Sequence, residues 1–161
     1  MYPKHVNLRV SLCGLFINPQ FPILGASPDG IVECECCGVG VLEIKCPYCV
    51  RDCTEETEFL EKVNYLKSVT NEKENYGLDK DHSFFYQIQC QLFVADKEYC
   101  DFMVWNKAVH FIQRFYQDDA FWQKNYPLAV EYFHGIVMPE LLGKFWTRSS
   151  RSKVNIYSQY L

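Results

Sequence analysis

Apolar residues follow one another closely in the first third of the chain and predict three short strands. Residues 8–18 (LRVSLCGLFIN) end at an Asn-Pro pair and predict one strand closed by a loop. The turn SPDG leads into IVEC at 31–34, and VLEIK at 41–45 follows the glycine-containing CCGVG. The second and third strands are therefore expected to form an antiparallel hairpin.

Helical spacing appears in the middle of the chain. Residues 54–69 have apolar residues on one face and acids in the first turn, which predicts a helix, whereas the charged, aperiodic residues 71–82 predict an exposed loop. Residues 83–95 (SFFYQIQCQLFVA) predict a core helix with Ser83 as its N-cap. Its expected buried face consists of Phe85, Ile88, Leu92 and Ala95.

The last part of the chain adds two strands and more helix. YCDFMVW at 99–105 and AVHFIQRF at 108–115 predict a hairpin that turns at Asn106-Lys107. Residues 118–146 are helical by pattern, with breaks or kinks expected near Pro127 and Pro139.

This order of elements predicts an α/β or α+β fold with a mixed sheet. No repeat or linker interrupts the chain, so we expect a single domain over residues 1–146, followed by a loose tail over 147–161.

Three charges stand out in the predicted hairpin. Asp29 lies in the SPDG turn, while Glu43 and Lys45 interrupt an apolar strand and, being two apart, project to one face of the sheet. Converging carboxylates repel each other unless a divalent cation lies between them, and the backbone carbonyl of Ile44 would offer a further oxygen ligand. Lys45 beside such a site would act on an attacking water, as metal-dependent phosphodiester hydrolysis requires.

Each motif has a simpler interpretation when taken alone. SPDG is a common turn, and Glu-x-Lys is more often a solvated strand face or an ion pair. The two motifs lie about one hairpin apart, and the strand around Glu-x-Lys is otherwise apolar. Together these observations favour a functional site.

Composition and charge limit the alternatives. The chain has 161 residues, of which 48% are hydrophobic and 16% aromatic, as expected for a packed globule. Its formal charge of −4 gives no basic footprint over the whole surface. Without a signal peptide or a membrane span in the sequence, we expect a soluble intracellular protein, nuclear if eukaryotic.

Nine cysteines raise the question of zinc. They include two groups: Cys34, Cys36 and Cys37, and Cys46, Cys49 and Cys53. The strand 41–45 would hold the groups roughly 20 Å apart, too far to share an ion. Each group alone offers three sulfurs, so free thiols are favoured over zinc, which stays an alternative.

The motifs GASPDG, VLEIKCPY, RD, H..FYQIQCQL and YCDFMVW, over about residues 12–140, resemble those of the YqaJ viral recombinase family, phage-type alkaline exonucleases of the PD-(D/E)XK nuclease superfamily. The resemblance implies a restriction-endonuclease-like core with a mixed central sheet flanked by helices. It also implies an exonuclease that digests linear double-stranded DNA from its ends in recombination or repair.

The resemblance also assigns roles at the site. It implies Mg²⁺ as cofactor, with Mn²⁺ as substitute, bound by Asp29, Glu43 and the Ile44 carbonyl. Lys45 would act at the attacking water, and Gln87 would orient the site.

DNA contacts are expected from four further residues, namely Ser27, Tyr48, Arg51 and Gln91. Arg51 offers a bidentate fork for phosphate, with an ordinary surface arginine as the alternative. Gln91 lies one helical turn after Gln87, so both could face the sheet or form a solvated stripe.

Members of this family usually carry an N-terminal helical segment with a further glutamate, which this sequence lacks before Asp29. That absence leaves open a weakened or inactive relic that binds DNA ends, and a zinc-binding interaction module is a third alternative. A single-strand annealing protein as partner and a trimer as assembly are further expectations from the resemblance.

Overall fold

A five-stranded mixed sheet forms the centre of the computed structural model, which describes residues 5–68, 76–144, 146 and 147. The strands are β1 (Arg9–Ser11), β4 (Gly30–Cys34), β5 (Gly38–Lys45), β8 (Tyr99–Trp105) and β9 (His110–Tyr116), in that spatial order. Only β5 and β8 pair in parallel, and the other pairs are antiparallel. The predicted α+β class, mixed central sheet and two hairpins are confirmed.

Two small antiparallel sheets accompany the central one. Strand β2 (Phe16–Ile17) pairs with β3 (Gly25–Ala26), and β6 (Leu66–Ser68) pairs with β7 (Tyr76–Leu78). The helices are α1 (Glu56–Lys62), α2 (Ser83–Ala95), α3 (Asp119–Tyr132) and α4 (Met138–Gly143). None of the described helices is both long and apolar enough to cross a membrane.

Helix α2 covers the centre of the sheet because alternate residues of β5 and β8 point towards it. On β8, the side chains of Cys100, Phe102 and Val104 are fully buried, and the parallel register sets Val41 and Glu43 of β5 beside the first two. The predicted face of α2 is confirmed, since all four of its apolar residues are buried. A functional side chain on this face of β5 therefore lies under α2.

The predicted strand over residues 8–18 is wrong as one element. The chain leaves β1 after Ser11, which pairs with Ile31 of β4, and enters the separate small sheet at Phe16. Between the two strands, the thiol of Cys13 donates to the carbonyl oxygen of Pro28 at 3.2 Å.

The helix predicted over residues 54–69 is shorter, and a strand replaces its end. At Val63 the backbone is already extended, with φ −85° and ψ 92°. Tyr65 lies off the predicted helix face, yet it is buried against the rings of Phe84 and Phe102. Packing of this aromatic residue overrides the helical pattern. The loop predicted over 71–82 contains β7, and residues 69–75 lie outside the described residues.

Two predicted helix boundaries also change. The N-cap of α2 is His82 instead of Ser83, because its Nδ1 accepts from the backbone N–H of Phe84 at 3.2 Å. Helix α3 runs through Pro127 without ending, and a π-helical turn, Phe133–Val137, follows it. Pro139 lies in the first turn of α4, where its missing N–H is tolerated.

The chain divides into two compact units, one ending at Asp119 and the other beginning at Ala120. The single domain over residues 1–146 stays a prediction. The tail expected from residue 147 lies, except for Thr147, outside the described residues.

Packing at Gly40 of β5 gives a test of the fold. A methyl group at this position would overlap the ring of Tyr99, which is only 2% exposed and is covered by the Arg114 guanidinium at 3.8 Å. We expect Gly40→Ala to lower the free energy of unfolding by about 1–3 kcal/mol, because a buried ring must move. Urea denaturation measures this difference.

Gly14→Ala is the matched control. Nothing lies within 4 Å of a methyl group at Gly14, so its stability should change by less than about 0.5 kcal/mol. Equal stability of the two variants would contradict the packing described here.

Candidate active site

The carboxylate of Glu43 is the centre of the candidate site. Glu43 lies on the α2 side of β5 and is only 3% exposed. Its Oε1 accepts hydrogen bonds from the ammonium of Lys45 and, at 2.8 Å, from the amide of Gln87. Its Oε2 accepts from the amide of Gln91 at 2.6 Å. A carboxylate has about four acceptor positions, so three are occupied and one is left.

Lys45 is held by three contacts. Besides its ion pair with Glu43, its Nζ donates to Oε1 of Gln87 at 3.1 Å and lies 4.3 Å from the centre of the Phe84 ring. The Lys45 side chain is 21% exposed. The ammonium is thus fixed beside Glu43 while part of the side chain stays accessible to solvent.

Helix α2 delivers these contacts because Phe84, Gln87 and Gln91 follow one another at i, i+3 and i+7 and therefore share a face. Two neutral amides satisfy the carboxylate without adding charge, which makes burial of Glu43 tolerable. Phe84 was missed in the sequence, although its spacing from Gln87 was an available signal.

Asp29 approaches the site from the position just before β4. Its backbone N–H donates to the carbonyl of Leu42 at 2.9 Å, and its Oδ2 accepts from the N–H of Ile44 at 2.7 Å. Strand β4 begins at the next residue, Gly30, which pairs with Leu42. The exposed Asp29 is thus bonded to the two β5 residues on either side of the buried Glu43.

Cys100 lies on β8, where it is paired with Val41 of β5 and buried near Glu43. Burial is the main cause that raises the pKa of this thiol, and the nearby carboxylate of Glu43 adds to the effect. Cys100 therefore remains protonated near neutral pH and does not act as a thiolate in the site.

The residues expected to contact DNA are not all accessible. Ser27 is exposed just before Asp29, and Tyr48 is 75% exposed in a 3₁₀ turn after β5. Gln91, in contrast, is 2% exposed, so its side chain is not available for the predicted DNA contact and instead supports Glu43.

Arg51 lies next to this turn. Its guanidinium packs over the ring of Tyr48 at 3.9 Å, and its Nε lies 3.1 Å from the carboxylate of Asp52. Arg51 and Tyr48 also line an open pocket together with Trp105 and Lys107. The two residues thus form one exposed surface beyond the end of β5.

Comparison with known proteins gives a family and a fold. The YqaJ-like viral recombinase domain matches residues 1–98. No curated protein gives a significant match. Among solved structures, an alkaline exonuclease (LHK-Exo) from Laribacter hongkongensis is 23% identical with a TM-score of 0.54, and its complex with dAMP is 24% identical with a TM-score of 0.56.

Both matches cover 83% of this chain and 59% of the exonuclease chain. The chain therefore spans less than two thirds of that enzyme's length. At this identity the likeness shows a shared fold, built on the mixed central sheet described above.

The hydrogen bond from Gln91 to Glu43 gives a test of the site. We expect Gln91→Leu to lower the free energy of unfolding by about 1–3 kcal/mol, because the buried carboxylate loses a donor while the packed volume is nearly kept. Urea denaturation without added divalent cations measures the loss.

Gln123→Leu makes the same change at an exposed position of α3 and should be nearly neutral. A Gln91→Leu protein as stable as Gln123→Leu would show that the amide does not support Glu43.

Proposed function

The chain belongs to the YqaJ-like viral recombinase domain family, and from this membership and the geometry around Glu43 we propose that it is a Mg²⁺-dependent exonuclease. Its substrate would be the end of linear double-stranded DNA, in recombination or repair. The observation that carries the proposal is the convergence of Glu43, Lys45 and Gln87, with Asp29 bonded to the neighbouring residue Ile44.

The oxygen donors at the site fit a hard divalent cation. The carboxylate of Glu43 lies on β5, and the carboxylate of Asp29 bonds to the N–H of Ile44, the next residue of β5. The carbonyl of Ile44 lies on the same edge of β5 as its N–H, which bonds to Asp29, because both groups of a strand residue point the same way. Two carboxylates and a carbonyl are ligands that Mg²⁺ accepts, completed by water, and Mn²⁺ can substitute.

The chain's own residues would then divide the work. When bound, Mg²⁺ would polarise the scissile phosphate and lower the pKa of the attacking water. Lys45 would orient that water through its ammonium and stabilise negative charge at the phosphate. Gln87 bonds to both Glu43 and Lys45, so it would hold the acid and the cation at a fixed separation.

The exposed residues near the site suggest how DNA would approach. Ser27 comes shortly before Asp29 in the chain. Tyr48 and Arg51 come shortly after Glu43, beyond the end of β5. We propose that Arg51 contacts the phosphate backbone, with the Tyr48 ring fixing its plane. A single-strand annealing protein as partner and a trimer remain proposals from the family resemblance.

A DNA-end binder without activity is the second candidate. Lys45, Gln87 and Gln91 occupy three of the about four acceptor positions of Glu43, so a metal bound by this carboxylate would have to displace or share one of these partners. The two candidates predict the same salt-sensitive affinity for DNA and differ in cleavage.

Degradation of end-labelled linear duplex tests the proposal. With Mg²⁺, the wild-type chain should release label from linear duplex and leave covalently closed circles intact. Lys45→Ala should slow release by about 100-fold or more, because it removes the group that orients water and stabilises charge. The rate of label release at saturating enzyme measures the effect.

Lys124→Ala, at an exposed position of α3, is the control and should retain the wild-type rate. Binding to duplex ends without release of label would favour the inactive binder. Equal rates for wild type and Lys45→Ala would contradict the proposed role of Lys45.

A further inference from the structure

Four metal-binding side chains converge at the tip of the β4–β5 hairpin, away from the acidic site. They are His5, Cys34, Cys36 and Cys37, and their donor atoms all lie within 4.8 Å of one another. Cys34 is the last residue of β4, Cys36 and Cys37 lie in the turn over residues 35–37, and His5 comes from the segment that leads into β1. The two hairpin strands and the N-terminal segment thus meet at one point.

The distances match the edges of a tetrahedron around zinc. Zinc lies about 2.3 Å from sulfur and about 2.0–2.1 Å from nitrogen, so sulfur–sulfur edges should be about 3.8 Å and sulfur–nitrogen edges about 3.6 Å. Cys36 Sγ lies 3.4 Å from Cys34 Sγ and 3.7 Å from Cys37 Sγ. The Nδ1 of His5 lies 3.3, 3.5 and 3.5 Å from the sulfurs of Cys36, Cys34 and Cys37.

Neither a disulfide nor apolar burial accounts for the cluster. A disulfide requires sulfurs about 2.05 Å apart, and all nine cysteines are free. Thiols are weak hydrogen-bond donors, so a mutual contact of three thiols and an imidazole gives little energy by itself. Packing in an apolar core does not explain why these side chains meet, because Cys36 is exposed and His5 and Cys37 are half-buried.

We propose that His5, Cys34, Cys36 and Cys37 bind one structural Zn²⁺ ion. Four protein ligands close the tetrahedron, which is typical of a structural site and leaves no position for a substrate. On binding, the three thiols release their protons to solvent and the imidazole binds in its neutral form, so the complex carries one net negative charge. Arg114, which is paired with Asp101, lines a pocket together with His5 and Cys37 and places a cation near the complex.

Ligand chemistry keeps this ion distinct from the metal proposed for catalysis. Thiolates and imidazole select zinc, whereas carboxylate and carbonyl oxygens select Mg²⁺. Strand β5 begins at Gly38, next to the sulfur cluster, and Glu43 lies five residues further along it. The distance between Gly38 and Glu43 along the strand is therefore about 17 Å. The zinc would therefore shape the hairpin without taking part in hydrolysis.

The weak attachment of the N-terminal segment gives the ion a role. All three residues of the edge strand β1 are exposed, and Val6 and Leu8 are about half exposed, at 51% and 50%. Apart from β1 pairing, the segment is held by the N–H of Glu35, which donates to the Val6 carbonyl at 3.0 Å, and by the Asn7 amide, which donates to Glu35 at 2.5 Å. A zinc ion would tie this segment to the hairpin that carries Asp29 and Glu43.

Metal analysis of the whole chain tests the proposal. The protein is purified untagged, without added zinc and without chelator. Inductively coupled plasma mass spectrometry should then find about one zinc ion per chain. Cys36→Ser should reduce this content to near zero, and His5→Ala should reduce it substantially. Cys46→Ser, which changes an exposed cysteine of the other group, should leave it at about one.

A cobalt titration keeps the test decisive if Cys36→Ser fails to fold. Co²⁺ added to metal-depleted wild-type protein should give the visible absorption of tetrahedral cobalt and a thiolate charge-transfer band, both removed by one equivalent of Zn²⁺. Wild-type protein that holds no zinc and gives no thiolate band would overturn the proposal, as would unchanged zinc in a folded Cys36→Ser protein. Neither readout depends on nuclease activity.

Discussion

Burial of the Glu43 carboxylate is the constraint on which the site depends. An unpaired carboxylate under a helix would cost several kcal/mol, so the surroundings must supply both charge and hydrogen bonds. Lys45 supplies the charge from the same strand, and Gln87 and Gln91 supply amides from α2. Helix α2 must therefore lie at one position and rotation over β5, and its apolar residues at Ile88 and Leu92 fix that position by packing on the sheet.

The same hairpin carries two groups of metal-binding side chains at its opposite ends. Hard oxygen donors lie where β4 begins, and a histidine with three sulfurs lies at the turn. In the proposed arrangement the turn end is fixed by zinc, so that the register between β4 and β5 does not slip. A shift by one residue would move Glu43 to the other face of the sheet, away from both glutamines.

Local patterns in the sequence were sufficient for much of this structure. Alternation and turn residues predicted the β4–β5 and β8–β9 hairpins, and helical spacing predicted α2 with its buried face. Glu43 and Lys45 were identified because charges in an apolar strand need a reason. The failures involve long-range contacts: Tyr65 ends a helix early because it packs on distant rings, and His5 joins sulfurs that lie about thirty residues further along the chain. The sequence left open whether Gln91 faces the sheet or solvent, and only its burial and its bond to Glu43 show that it supports that carboxylate.

The most direct measurement of the central claim is a crystal structure of the full chain soaked with Mn²⁺, with anomalous differences collected at the manganese edge. We expect a peak about 2 Å from carboxylate oxygens of both Asp29 and Glu43 and from the Ile44 carbonyl, with Gln91 still bonded to Glu43. A crystal in which Mn²⁺ binds only at other places, while Glu43 keeps all three of its present partners, would contradict a metal site at this hairpin.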